Sequence, residues 1–202
     1  MGGTFDPIHI AHLIIAEEAR TTLQLDEIVF IPASDPPHKP GQVQTAVDHR
    51  LRMVELAIAN NPYFLLSRIE VDRPGPSYLV DTLRLLRQEW GKEVELSFII
   101  GGDSLEFFPL WHDPNGILAQ LDYLIVVRRP GYVEKSEYNK QLEDRVPGIT
   151  RHLLTVKAPQ MDISSTDLRR RVREGFPIKY QVPEAIEAYI RQHGLYSPKE
   201  RT

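Results

Sequence analysis

The chain has 202 residues, 42% hydrophobic and 26% charged, the composition of an ordinary globular domain. It has no cysteine, which excludes disulfides, thiolate-bound zinc and thiol catalysis. A net charge of −4 argues against a nucleic-acid binder; no apolar run approaches the ~18 residues of a membrane span, and the start has no secretory pattern, so a cytoplasmic location is the default expectation.

In chain order, residues 9–25 carry apolar side chains at Ile10, Leu13, Ile14 and Leu25 with charges between them, the pattern of an amphipathic helix. Residues 27–33, a short β-branched run, predict a buried strand. The Pro-rich stretch 34–45 is a loop, 47–61 a helix stopped by Asn-Asn-Pro, and 63–71 a strand. A helix follows over 76–90 with an early serine cap and a stop at Gly91. Strands are predicted at 93–103 and 122–132, each running into a turn, and at 152–160. Segment 133–150 reads as a short helix and a loop, and 164–175 and 183–194 as helices with polar starts and glycine ends. Alternating strands and helices imply βαβ units. The expected fold is α/β: one domain with a Rossmann-like, doubly wound parallel sheet and helices on both faces. In such sheets ligands sit at the carboxyl ends of the strands.

Two clusters carry chemistry. In "GGTFDPIHIAH" the glycines let backbone N–H groups face a phosphate, and the following helix aims its positive end the same way. His9 and His12 are three apart and share a face near that helix start, where two imidazoles can donate to a phosphate as its charge builds. A zinc pair lacking an obvious third ligand and two surface histidines are the alternatives. In "DISSTDLRRRV" Ser164 or Ser165 caps a helix, Thr166 adds a hydroxyl, and Leu168 and Val172 face the core. Arg169, four residues after Ser165, shares the anion-ready end and fits that role better than Arg170, Arg171 or Arg173. An ordinary capped helix with solvated arginines is the alternative. Together, the two helix starts suit a triphosphate.

These two motifs resemble the paired signatures of the HxGH nucleotidyltransferase superfamily. "PPHK", "PSYLVDTL", "IIGGDSLEFFPLW" and "RRPGY" resemble, in the same order, further blocks of its nicotinate-nucleotide adenylyltransferase branch. The resemblance spans essentially the whole chain and implies a single nucleotidyltransferase domain over 1–202. It implies transfer of the adenylyl group of ATP to nicotinate mononucleotide, in NAD biosynthesis. His9, His12 and Arg169 would be catalytic. Gly2, Gly3, Thr4, Phe5, Gly101, Asp103, Ser164, Ser165 and Thr166 would bind ATP, with Asp103 on the adenosine side. His38, Lys39 and Arg129 would help bind phosphates; Ser77, Tyr78 and Thr82 would shape the mononucleotide pocket, and Trp111 would stack on the nicotinate ring. Mg²⁺ would enter with ATP, held by ATP oxygens and water, with no protein metal site. The implied partners are small molecules, neither nucleic acid nor membrane; a homo-oligomer stays open. A sister enzyme acting on nicotinamide mononucleotide or phosphopantetheine, and a nucleotide-binding module without catalysis, are the competing functions. The chain departs from the family pattern at Ala11, where a glycine is usual, and at Leu79, where a threonine is usual.

In a Rossmann-like sheet a glycine turn follows the first, central strand, yet only Met1 precedes Gly2. The expectation is that this central strand is missing here and is encoded upstream of Met1.

Overall fold

The computed structural model describes residues 1–36, 45–128, 136–159 and 161–198. Its contacts divide into two compact units: Met1, Ile15–Leu25 and Ser77–Gln160 form the first, and Gly2–Ile14, Asp26–Pro76 and Met161–Thr202 the second. All described strand pairs are parallel, in two three-stranded sheets flanked by helices, the α/β class that alternation implies. Among the described residues no helix is long and apolar enough to cross a membrane.

The second unit holds β1 (Gly2–Gly3), β2 (Ile28–Pro32) and β3 (Phe64–Leu66), paired in that order. Gly2 and Gly3, expected as a turn, are themselves a strand in register with Ile31 and Pro32. The predicted strand over 63–71 is only three residues long. Ser67 ends it, because its hydroxyl accepts from the Ile69 N–H and the Val71 and Asp72 amides turn back to the Arg68 carbonyl. Helices α2 (Val47–Ile58), α8 (Ser165–Arg173) and α9 (Glu184–Gln192) belong to this unit. Ile8, Phe30, Met53, Val54, Leu168 and Ile186 form its buried core. Helix α1 (Ile10–Leu23) begins among these residues and ends among those of the first unit.

The first unit holds β4 (Ser97–Gly101), β5 (Tyr123–Arg128) and β6 (Leu153–Lys157), with β5 in the middle. Leu124, Ile125 and Val126 are consecutive and all buried; since strand side chains alternate, both faces of this sheet are covered. Helix α3 (Leu79–Trp90) starts later than expected: Tyr78 is its N-cap residue, so Ser77 is not the cap. Three short elements were not anticipated: α4 (Gly102–Phe107), a 3₁₀ turn at Phe108–Leu110, and α5 (Pro114–Leu118). Pro109 and Pro114 break the periodicity there, and the Asp113 carboxylate caps α5 by accepting from the Gly116 N–H. The stretch expected as one short helix and a loop contains two helices, α6 (Ser136–Arg145) and α7 (Ile149–His152), separated by Gly148 at φ +89°.

Candidate active site

The second unit builds one site from the two ends of the chain. Residues 4–9 run from β1 to α1. Phe5 is buried with φ +49°, and its ring packs so closely on Gly3 that a Cβ there would lie 2.9 Å from it. A side chain at Gly3 would force the Phe5 ring to shift. The same ring meets His12 edge-on at 5.2 Å.

His9 and His12 stack with centroids 3.6 Å apart and planes 25° apart, the shared face their spacing predicts. The His9 backbone N–H donates to His12 Nδ1 at 3.2 Å, and the His12 N–H returns to the His9 carbonyl at 3.0 Å. Because His12 Nδ1 accepts, the proton of the neutral ring sits on Nε2, which makes that nitrogen a donor. His9 is 5% exposed, so it is not a surface histidine. Burial lowers its pKa from 6.5 to about 4, so it is neutral near pH 7, and its Nδ1 is buried with no hydrogen-bond partner. Among the described residues no group of three His, Asp or Glu could hold a metal ion. Ala11 is buried in the first turn of α1, which accommodates its methyl group.

From the other end of the chain, Ser164 caps α8 by accepting from the Asp167 N–H at 3.1 Å. That leaves Ser165 to donate to the Pro7 carbonyl at 2.9 Å. Arg169 Nη1 donates to the Asp6 carbonyl at 2.7 Å, while its Nη2 lies 3.4 Å from Thr166 Oγ1 and its Nε is buried without a partner. Two bonds thus tie the start of α8 to the loop that leads into α1. Arg170 is engaged by Asp167 and Glu174, and Arg171 by the Pro177 carbonyl. Leu168 is fully buried, as its spacing predicts, and Val172 is half-buried.

Sequence reasoning passed over Arg50. It is 1% exposed and donates to the carbonyls of Thr4 at 2.8 Å, Ala33 at 2.7 Å and Thr45 at 3.2 Å. It therefore fastens the residues that follow β1 and β2. Burial lowers its pKa, with Asp6 opposing that shift. The available signal was its place four residues before Val54, on the buried face of α2.

The first unit carries the other predicted residues that the structure describes. Gly101 ends β4 and is the N-cap residue of α4, with Asp103 in the first turn. Tyr78, just after Ser77, stacks on His112 with centroids 4.2 Å apart. His112 was also missed, although it directly follows Trp111. Thr82 is fully buried and donates to the Tyr78 carbonyl at 3.2 Å, supporting that residue from beneath. Leu79 is half-buried as the first residue of α3. Trp111 is half-buried against Phe108 at 5.3 Å and Phe98 at 6.3 Å. His38, Lys39 and Arg129 lie outside the described residues.

A family model described as cytidylyltransferase-like matches residues 1–171. A protein of Thermomicrobium roseum named probable nicotinate-nucleotide adenylyltransferase is 48% identical over 200 residues, covering 98% of this chain and 91% of the relative. One of the same name from a Roseiflexus species is 47% identical over 196 residues, covering 97% and 96%. The solved structure of Plasmodium falciparum nicotinic acid mononucleotide adenylyltransferase complexed with NaAD matches with a TM-score of 0.75 at 20% identity, covering 96% of this chain and 94% of the other. At that identity the likeness is one of fold.

Proposed function

The chain belongs to the cytidylyltransferase-like family and groups within it with the nicotinate-nucleotide adenylyltransferases, and from that premise we propose that it transfers the adenylyl group of ATP to nicotinate mononucleotide, giving nicotinate adenine dinucleotide and pyrophosphate. The observation that carries this reading is the pair of bonds from Ser165 and Arg169 to Pro7 and Asp6, which join two anion-ready helix starts from opposite ends of the chain. Family matching across residues 1–171 runs through both compact units, which supports reading them as one nucleotidyltransferase domain.

The mononucleotide phosphate attacks the α-phosphorus of ATP in line, and pyrophosphate leaves. The nucleophile is already an anion, so no general base is required. Catalysis is then positioning plus neutralisation of charge as it develops. In this reading His12 Nε2 and the neutral His9 donate to phosphate oxygens, with Ser165, Thr166 and Arg169 on the β- and γ-phosphates. Gly2, Gly3, Thr4, Phe5, Gly101 and Ser164 line the ATP site, and Asp103 serves its adenosine side. Ser77, Tyr78 and Thr82 shape the acceptor pocket, where Trp111 stacks on the pyridine. His38, Lys39 and Arg129 add phosphate contacts. Mg²⁺ would enter with the ATP substrate, held by triphosphate oxygens and water, and would shield their charge. The same reading places the protein in the cytoplasm.

A side-by-side assay of pyrophosphate release with nicotinate mononucleotide, nicotinamide mononucleotide and phosphopantetheine tests the assignment. The nicotinate acceptor should give the highest kcat/KM. Preference for another acceptor would reassign the chain to a sister enzyme, and ATP binding without release would make it a binding module.

A further inference from the structure

Helix α9 closes with the Leu195 N–H on the Ile190 carbonyl at 3.0 Å, and Gly194, at φ +58°, turns the chain back. That turn delivers Tyr196, itself held at φ +65°, a conformation that non-glycine residues adopt at a cost. Its hydroxyl donates to Asp6 Oδ1 at 2.7 Å. Asp6 is 2% exposed, and the same residue's carbonyl receives Arg169. A second tie, from the Ile10 N–H to the Gln181 carbonyl at 3.0 Å, fixes the C-terminal segment to the start of α1. Tyr196 lies beyond residues 1–171, which the family model matches.

We propose that Tyr196 is a positioning residue for the triphosphate site: its hydroxyl clamps the Asp6 carboxylate, and Asp6, through its carbonyl, orients the Arg169 guanidinium. The proposal rests on the functional reading above. Burial, reinforced by the Asp6 carboxylate, pushes the Tyr196 hydroxyl well above its ordinary range, so it stays protonated and remains a donor. Arg50 supplies the opposite charge to Asp6 and holds the Thr4 carbonyl on the same loop. Without the hydroxyl, Asp6 Oδ1 loses this hydrogen bond and the backbone of residue 6 is held less firmly. Arg169 then loses the fixed acceptor that aims it.

The test measures the Kd of ATP, with acceptor KM and turnover alongside, for wild type, Tyr196→Phe, Arg169→Ala and the double variant. Tyr196→Phe should weaken ATP about ten-fold, the usual scale for losing a hydrogen bond to a charged group, and leave the KM of nicotinate mononucleotide within about two-fold. In the Arg169→Ala background it should weaken ATP no further, since its effect runs through that arginine. Additive weakening in the two backgrounds, or none in the first, would overturn the proposal. Asp6→Ala removes the oxygen that the Tyr196 hydroxyl holds and stands in should Tyr196→Phe fail to fold. It should weaken ATP at least about ten-fold, and no further in the Arg169→Ala background; an unchanged Kd, or additive weakening, would overturn the clamp. Wild type that binds ATP without transferring it would remove the transferase reading while leaving the Kd comparison valid, and wild type that binds no ATP would overturn both.

Discussion

Burial gives the two histidines different work. His12 has a defined donor at Nε2 because its Nδ1 is occupied by the His9 backbone. One well-placed donor is typically worth ~3 kcal/mol in a transition state. His12→Ala should therefore cut kcat by at least about two orders of magnitude with the fold intact, and His9→Ala should also be severe. Near-normal turnover of a folded His12→Ala protein would remove the pair from the mechanism. His9 also makes stability depend on pH. Its folded pKa, about 4, lies below the unfolded 6.5, so the unfolded state binds the proton first as pH falls. The neutral ring's full contribution is present above about pH 6.5 and is lost progressively toward pH 4, on the order of 3 kcal/mol in all. Urea midpoints from pH 7 to 4.5 should fall more steeply for wild type than for His9→Asn. Parallel curves would show that this imidazole is not desolvated in the folded protein.

Among the elements, the long periodic helices and the apolar strands were legible within a few residues, because burial of one stripe or of two faces writes its period into the sequence. The short pieces between β4 and β5 were not. Helix α4 has six residues and α5 has five, too few to show a period, and two prolines interrupt them. Trp111 sits in the middle of this stretch, as the residue closing the 3₁₀ turn before α5, and rests on two buried phenylalanines while remaining partly accessible. A platform braced from behind in this way can accept a planar ring on its other side. Trp111→Ala should raise the KM of the mononucleotide far more than that of ATP, a stacking contribution of about 1 kcal/mol or somewhat more. Equal weakening of both substrates would make Trp111 a packing residue only. The strand overshoot at 63–71 has a local cause, since the Ser67 side chain offers the backbone a turn that β-propensity alone does not reveal.

For the molecule as a whole, each half of the triphosphate site could be read where it stands in sequence, as a glycine pair before a histidine helix and as a serine cap before an arginine. Their joint use on one triphosphate could be read too, from its charge, but the bonds that join them could not. The bond from Ser165 to Pro7 spans 158 positions and that from Arg169 to Asp6 spans 163, and no local pattern encodes such pairings. Arg50 was hidden for a related reason: a charged residue on a helix reads as solvated unless the carbonyls that bury it are known. In the proposed reaction the adenylyl group itself moves, as one unit, onto the mononucleotide. This transfer is tested most directly by incubating wild-type protein and nicotinate mononucleotide with ATP labelled in separate reactions at the α- and γ-phosphorus. The α-label should appear in the dinucleotide while the γ-label leaves as pyrophosphate. Retention of α-label in free AMP or ATP, or γ-label on the mononucleotide, would contradict it.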